Sequence, residues 1–249
     1  MKRTQRRHLK ENELVHTIVA AREFLESRSR QVGTIAIVVA LVILAGLAVT
    51  MLRQRSSAQA ERLLAEAMVA LDARVIASTD PETADLPAAA QFSATGTFST
   101  EGAKLRAALP KLEAAASAYP DTEAGIAARY HMAGALSALG RNEEALKAFA
   151  EVIARADAGS LYGRMARFGQ ADAQARTGQL DAAITSWKAL AADTDEALPA
   201  DAVLLQLART YVAKGDTEEA RKTFSELMEK HPASPYSALA RTELESLES

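Results

Sequence analysis

The sequence has no cysteine, which excludes disulfides, thiolate nucleophiles and thiolate metal ligands. Aromatic residues make up only 5% of the chain and alanine is frequent, a composition that favours helices over strands. The sequence also lacks HExxH, GxSxG and a glycine-rich phosphate loop. Its four histidines are scattered, and none has a second ligand three or four residues away. We therefore expect no enzymatic activity, no cofactor, no metal and no small-molecule substrate.

An excess of positive charge is missing from most of the chain, because acidic residues outnumber basic ones after residue 52. Residues 1–52 carry eight Lys or Arg against four Glu, a net charge of +4, whereas the whole chain has a net charge of −3. Residues 53–249 therefore carry −7. An acidic domain lacks the basic surface that binding to a phosphate backbone needs, so we do not expect nucleic acid as a partner.

One uncharged stretch of 21 residues, Val32–Leu52, has the length that a helix needs to cross a bilayer core. The stretch starts about thirty residues into the chain and is longer than the apolar core of a secretory signal. A cleaved signal peptide and a buried core helix therefore fit it less well. We predict a transmembrane helix over residues 32–52, in contact with the lipid bilayer.

The orientation of this helix follows from the charges around it. The total of basic residues in the tail, residues 1–31, predicts a single-pass protein with a cytoplasmic N-terminus. The charges close to the span favour neither orientation, because three arginines lie on each side of it. These are Arg22, Arg28 and Arg30 before the span and Arg53, Arg55 and Arg62 after it. Within the tail, Glu11–Ser27 has the spacing of a short amphipathic helix, which lies either on the membrane surface or in solvent.

Two segments follow the predicted span. Leucines and alanines recur on one side of the chain up to residue 77, which predicts a juxtamembrane helix over residues 53–77. Residues 78–100 contain Pro81, Pro87 and many Ser, Thr and Asp residues, a composition that indicates a linker. We therefore place the start of the large domain, residues 101–249, after this linker.

From residue 101 onward the chain repeats a pattern of small and large residues. Gly140, Gly178 and Gly215 are each preceded by an alanine seven residues earlier. Each is followed at five, nine and twelve residues by an alanine, an aromatic and an aliphatic residue. Spacings of 38 and 37 residues between the glycines suit a helix–turn–helix unit, in which glycine permits the tight turn. The following positions are Ala145, Phe149 and Val152; Ala183, Trp187 and Leu190; and Ala220, Phe224 and Leu227.

We therefore predict an all-α fold in which one N-terminal transmembrane helix is followed by a solenoid of helical repeats. The three units lie near residues 126–159, 164–198 and 201–234. Half a unit precedes them, with the pattern of a second helix.

A capping helix is predicted over residues 235–247. Ser234 occupies the N-cap and Pro235 the first helical position, a combination typical of helix starts. A terminal helix of a repeat stack presents polar residues to water, so we expect its glutamates to face solvent. These are Glu243, Glu245 and Glu248.

The repeated positions resemble the tetratricopeptide consensus, in which small, aromatic and proline positions mark two antiparallel helices. His231-Pro232 supplies the closing proline of the third unit. Together with the basic tail and the single span, the arrangement resembles the bacterial inner-membrane family that includes the ancillary subunit of the Sec translocon. This resemblance implies a periplasmic repeat domain with protein partners: the translocon, envelope assembly machinery, periplasmic chaperones or emerging polypeptides.

We interpret the chain as a membrane-tethered scaffold for protein–protein interaction in the bacterial cell envelope, chaperone-like at the Sec translocon. Two alternatives stay open. The chain is either a structural accessory subunit of a larger membrane complex, or a coordinator of envelope assembly or division, because the repeats are also similar to those of such envelope proteins.

Stacked repeats form a concave groove lined chiefly by the first helix of each pair, and we expect a partner peptide there. The fifth position of each unit is apolar, which suits an extended or helical peptide. The Lys and Asn with which one tetratricopeptide subtype clamps a C-terminal carboxylate are missing. The alternative is that Phe168 and Leu205 pack within the stack. The predicted groove residues are Tyr130, Met165, Phe168, Asp172, Arg176, Leu205 and Arg209.

Overall fold

The computed structural model describes residues 29–76, 96–157, 159–193 and 198–247. It divides into two compact units, Met1–Arg55 and Ser56–Ser249. The predicted amphipathic helix Glu11–Ser27 lies outside the described residues, as does most of the predicted linker.

Helices make up most of the described structure. The part of the chain that is described has no β-strand, only an isolated bridge between Val75 and Phe98. The predicted all-α fold class with helical repeats is therefore confirmed. The helices are α1 (Ser29–Leu71), α2 (Glu101–Ala118), α3 (Glu123–Ala138), α4 (Asn142–Arg155), α5 (Leu161–Arg176), α6 (Leu180–Ala192), α7 (Ala200–Lys214), α8 (Thr217–Lys230) and α9 (Ser237–Ser246).

The first compact unit contains the apolar part of α1. Between Ile37 and Leu52 its large apolar side chains are 48% to 66% exposed, so no protein core covers them. The helical segment Ile37–Leu71 is long and apolar enough to cross a membrane, with a mean hydropathy of 2.2 in its most apolar window. An apolar helix without a protein core around it is typical of a membrane span.

The helix α1 ends at Leu71, six residues before the predicted end at residue 77. Its last turn is followed by extended backbone, in which the N–H of Ile76 donates to the carbonyl of Phe98 at 2.8 Å. The N–H of Phe98 donates in turn to the carbonyl of Arg74 at 2.9 Å. Because the β-branched Val75 and Ile76 favour extended backbone, this pairing replaces further helical turns.

The second compact unit begins at Ser56. The sequence analysis had placed the start of the large domain at residue 101. Ala67 and Ala70 of α1 are buried in one apolar cluster with Ala108, Leu112 and Ala115 of α2. The last turns of α1 therefore pack against α2 in this cluster. The helix predicted as a juxtamembrane segment is part of the repeat core.

Three helix pairs follow: α3 with α4, α5 with α6, and α7 with α8. Each turn within a pair contains the predicted glycine in the left-handed region, with φ of 75° at Gly140, 79° at Gly178 and 87° at Gly215. A side chain at such a φ is strained, so glycine is required there. The predicted aromatic positions Phe149, Trp187 and Phe224 are buried, at 4%, 0% and 0% exposure. The repeat pattern is thus confirmed.

The starts of α3 and α5 share one hydrogen-bonding arrangement. The hydroxyl of Thr122 accepts from the N–H of Gly125 at 3.1 Å and donates to the carbonyl of Tyr119 at 2.9 Å. Ser160 makes the same two bonds, at 3.1 Å and 2.7 Å, with Gly163 and a carbonyl three residues earlier. A Cβ atom on Gly125 would lie 1.8 Å from the Tyr119 carbonyl oxygen, so this close approach also requires glycine.

The capping helix α9 begins at Ser237, two residues later than predicted. Ser234 does not cap it, because the Ser234 hydroxyl accepts from the N–H of Tyr236 at 3.0 Å within the preceding turn. The same hydroxyl donates to the Asp201 carboxylate at 2.6 Å. Ser234 therefore ties this turn to the start of α7 instead of starting α9.

Candidate functional site

The first helices of the three repeats, α3, α5 and α7, lie side by side, since α3 contacts α5 and α5 contacts α7. We call their common outer surface the A-helix face and define it by Tyr130, Gly134, Met165, Phe168, Asp172, Arg176 and Arg209. The predicted groove residues, apart from Leu205, belong to this face.

An aromatic cluster occupies one end of the A-helix face. The half-buried ring of Tyr130 lies 5.4 Å from the ring of His131, 6.1 Å from that of Phe149 and 5.6 Å from that of Tyr162, between centroids. His131 and Tyr162 also meet, at 6.2 Å. Such tilted and edge-on arrangements favour aromatic pairs beyond the area that they bury. Tyr130 was predicted, but its ring partners His131 and Tyr162 were not.

Burial changes the ionisation of two groups in this cluster. It raises the pKa of the Tyr130 hydroxyl above its usual value, and the neighbouring Tyr162 adds to the rise. Burial lowers the pKa of His131, because the charged imidazolium is poorly solvated there, and the Asp72 carboxylate partly offsets this decrease. Both shifts favour the uncharged forms, which present aromatic surface with polar edges.

Phe168 lies on α5, the helix that also carries Tyr162. Its ring packs edge-on against the fully buried Trp187, with centroids 4.8 Å apart. The Phe168 ring therefore packs within the stack, but it is only partly buried and keeps some exposed surface. Met165, one turn earlier on α5, is also half-buried. These two side chains form the apolar middle of the face.

Leu205 was predicted as a groove residue, but it is only 2% exposed and belongs to the core. It is packed in the same cluster as Trp187, Tyr211 and Phe224. The fifth position of the third repeat is covered by neighbouring side chains, so Leu205 contributes to stability and leaves no surface for a peptide. The face in this repeat is represented by Arg209.

The polar residues of the face are held in ion pairs. Asp172 and Arg176, one helical turn apart on α5, approach to 2.7 Å. Arg209 on α7 donates from Nε to the Glu243 carboxylate on α9 at 2.9 Å, which raises the pKa of Arg209 above its usual value. Glu243 was predicted to face solvent, but its side chain is only 26% exposed because it pairs with Arg209.

The chemistry of this surface is that of binding. Within the described residues, no group of three or more His, Cys, Asp or Glu side chains could hold a metal ion. Half-buried aromatic and thioether side chains beside paired charges can accommodate apolar side chains of a peptide and hydrogen bonds at its edges. Nothing in this arrangement resembles a nucleophile beside an activating base.

Comparison with known proteins agrees with the repeat geometry. A family model described as tetratricopeptide repeat matches residues 127–157 and 202–234. No curated protein matches the sequence.

Among solved structures, the chain is similar to TPR-like repeats of a Podosopora anserina protein named as a kinesin light chain. A single-substitution variant of these repeats has a TM-score of 0.52 at 18% identity, covering 64% of this chain and 81% of that one. A second structure of the same repeats has a TM-score of 0.51 at 18% identity, covering 66% and 87%. A tetratricopeptide repeat protein from Parabacteroides merdae has a TM-score of 0.48 at 17% identity, covering 64% and 57%.

The matched residues and the helix pairs support repeats of the tetratricopeptide type in this chain, and the first two structural similarities show the same fold. Repeats of this kind indicate a scaffold for protein–protein interaction, and their fold is typically non-catalytic. The partners of this scaffold are therefore expected to be proteins.

Proposed function

We propose that the chain is a membrane-tethered scaffold of the bacterial cell envelope, which presents the A-helix face to protein partners. The observation that carries the tether is the exposure of the large apolar side chains between Ile37 and Leu52. In water this surface would be costly at about 25 cal/mol per Å2 of apolar area, whereas a bilayer accommodates it. The repeats then remain bound to the membrane through α1.

The tether is tested by placing a charge at the middle of the apolar segment. Leu44→Arg costs about 2.5–3.5 kcal/mol at the centre of a membrane helix, so we expect much of the protein to leave the membrane pellet. Leu44→Ile is the matched control, which should stay in the pellet after carbonate extraction. Equal recovery of both variants in the pellet would refute a spanning helix in this segment.

For the orientation, we propose a cytoplasmic N-terminus and a periplasmic repeat domain in the inner membrane. The support is the total positive charge of residues 1–31. Alkaline phosphatase and β-galactosidase, fused in turn after residue 249, report the two compartments. Alkaline phosphatase activity is expected; activity of β-galactosidase alone would reverse the orientation.

The binding face is tested by photocrosslinking in cells. A photoreactive amino acid at Gly134 or Arg176 would lie on exposed parts of the A-helix face, and a Cβ at Gly134 meets no atom within 4 Å. The exposed Lys147 on α4 is the matched control on a second helix of a pair. We expect protein adducts from the two face positions and none from Lys147. Adducts from Lys147 alone would assign recognition to a different surface.

The partner that we propose is the Sec translocon or a polypeptide emerging from it, with chaperone-like contact. The support is the resemblance in architecture described above: basic tail, single span and repeats. Mass spectrometry of the adducts from Gly134 identifies the partner directly. Translocon subunits or unfolded secretory chains are the expected adducts, whereas subunits of one other membrane complex would favour the accessory-subunit role.

A further inference from the structure

A cavity of about 330 Å3 opens between α4, α5 and α6. Its apolar walls are Ile153 and Leu190, and its polar side is formed by Arg167 and Gln170 of α5. At 100° per residue along a helix, Arg167 projects from the side of α5 opposite to Met165 and the A-helix face. The cavity is therefore separate from the surface described above.

In the first repeat, the position equivalent to this cavity is occupied by an ion pair. Positions 38 residues apart are equivalent in the first two repeats, so Arg167 corresponds to Arg129 and Ala189 to Glu151. The Arg129 side chain is only 8% exposed, and its Nε lies 3.0 Å from the Glu151 carboxylate. Its Nη2 also donates to the carbonyl of Ala116 at 3.1 Å. In the first repeat the buried guanidinium is thus neutralised by a carboxylate from the second helix.

The second repeat keeps the guanidinium and lacks this carboxylate. Ala189 stands where the first repeat has Glu151, and it lines the cavity together with Arg167. No ion pair is found for Arg167 with any residue in the described ranges, and the third repeat has Leu204 at the equivalent position. The unpaired cation and the missing carboxylate are therefore features of the second repeat alone.

We propose that this cavity binds the carboxylate of an acidic side chain on a partner protein, which pairs with Arg167 as Glu151 pairs with Arg129. The carboxamide of Gln170, three residues further along α5, can donate a second hydrogen bond. Ile153 and Leu190 cover the aliphatic part of the incoming side chain. A paired guanidinium and carboxylate form the strong class of hydrogen bond, so one acidic residue confers specificity.

Two polar neighbours restrict the position of the ligand. The Ser186 hydroxyl donates to Gln174 at 2.9 Å, so its proton is not available to the ligand. Asp193 also lines the cavity and repels a carboxylate, but it has an interaction of its own. The ligand carboxylate therefore lies on the Ala189 side. The inference that the carboxylate belongs to a protein rests on the proposed scaffold function. The inference that the ligand is a carboxylate rests on the residues of the cavity.

The site is tested on the full chain in detergent micelles, labelled with 15N-arginine. N-acetylglutamate N-methylamide is titrated against its neutral glutamine analogue. We expect a saturable shift of the Arg167 Nε–H signal with the glutamate compound only, and about tenfold weaker binding or none in Arg167→Gln, judged by calorimetry. Arg106→Gln, at an exposed position of α2, is the matched control and should bind as the unchanged protein. No saturable shift, or equal shifts with both compounds, would overturn the proposal.

Ala189→Glu supplies the carboxylate from within the chain. It should raise Tm, abolish binding of the glutamate compound, and lose its effect on Tm when combined with Arg167→Gln. A Tm gain that is independent of Arg167 would overturn the proposal, as would binding that appears only in Asp193→Asn, because Asp193 would then be the partner of Arg167. These readouts require no cellular partner, so they stand or fall separately from the crosslinking of the A-helix face.

Discussion

Arg209 on α7 and Glu243 on α9 form an ion pair in which the Arg209 Nε lies 2.9 Å from a Glu243 carboxylate oxygen. The pair connects the last complete repeat to the capping helix across 34 residues of chain. Among the described residues, Arg209 is the one arginine that the third repeat contributes to the A-helix face, and its guanidinium is engaged by Glu243.

We expect a coupling energy of about 0.5–1 kcal/mol between Arg209 and Glu243, because both side chains are partly exposed and solvent screens the pair. A double-mutant cycle with Arg209→Ala and Glu243→Ala measures it. Urea unfolding is followed by the fluorescence of Trp187, the one tryptophan in the chain and fully buried. The pair Asp172–Arg176, within one helix, is the control; a coupling below that of the control would contradict the structure.

Two helical glycines should respond in opposite directions to alanine. A Cβ on Gly169 would lie 2.4 Å from the Phe149 ring, so Gly169→Ala should lower the free energy of unfolding by about 1–3 kcal/mol through overpacking. A Cβ on Gly134 meets nothing within 4 Å, so Gly134→Ala should raise the free energy of unfolding by about 0.5–1 kcal/mol. Thermal unfolding of the two variants checks the signs, and a shift of the same sign in both would be inconsistent with these contacts.

The His131 imidazole should make stability depend on pH. Its pKa in the folded protein is lowered by burial below the usual 6.5, so the unfolded chain binds more protons between the two values. Its contribution to stability is therefore complete above the unfolded pKa and decreases as pH falls through about 6.5 towards the folded pKa. His131→Gln should remove this part of the pH dependence.

Asp72→Asn gives a second check on the same group. The Asp72 carboxylate raises the pKa of His131, so its removal should lower that pKa further. Titration of the His131 ring signals by NMR measures the change in both proteins. An unchanged or higher pKa in Asp72→Asn would show that the carboxylate does not act on His131.

The hydroxyl of Thr122 at the start of α3 should contribute about 1 kcal/mol to the free energy of unfolding. Thr122→Ala removes an acceptor for the Gly125 N–H and a donor to the Tyr119 carbonyl. Thr185→Ala is the control, since the Thr185 hydroxyl donates only to the Asp181 carbonyl on an exposed helix surface. Urea unfolding should show a loss in Thr122→Ala and a change within about 0.5 kcal/mol in Thr185→Ala.

Local rules were enough to predict the repeats. The need for positive φ at Gly140, Gly178 and Gly215 is a property of the backbone, and it is visible in the spacing alone. The burial of Phe149, Trp187 and Phe224 follows from the same period. These positions also contact the next repeat, since Phe149 approaches Gly169 and Trp187 shares a cluster with Leu205, but the period alone is enough to locate them.

The face and its ion pairs depend on contacts between repeats, which spacing does not reveal. Leu205 occupies the same repeat position as Tyr130 and Phe168, yet neighbouring side chains cover it and leave the other two half-exposed. Glu243 finds its partner Arg209 across 34 residues. Of the predicted groove, the residues on α3 and α5 share the A-helix face with Arg209, while their use by a partner is the subject of the crosslinking test.

The contact between Ala67 on α1 and Leu112 on α2 has a consequence for proteolysis. A protease that cut the chain between Ile76 and Gly96 would break the covalent link, but the two fragments would still share one apolar cluster. The Ile76–Phe98 backbone hydrogen bond would hold the ends on either side of the cut. Release of the second compact unit as an intact domain would therefore require cleavage before Ser56, within α1 itself.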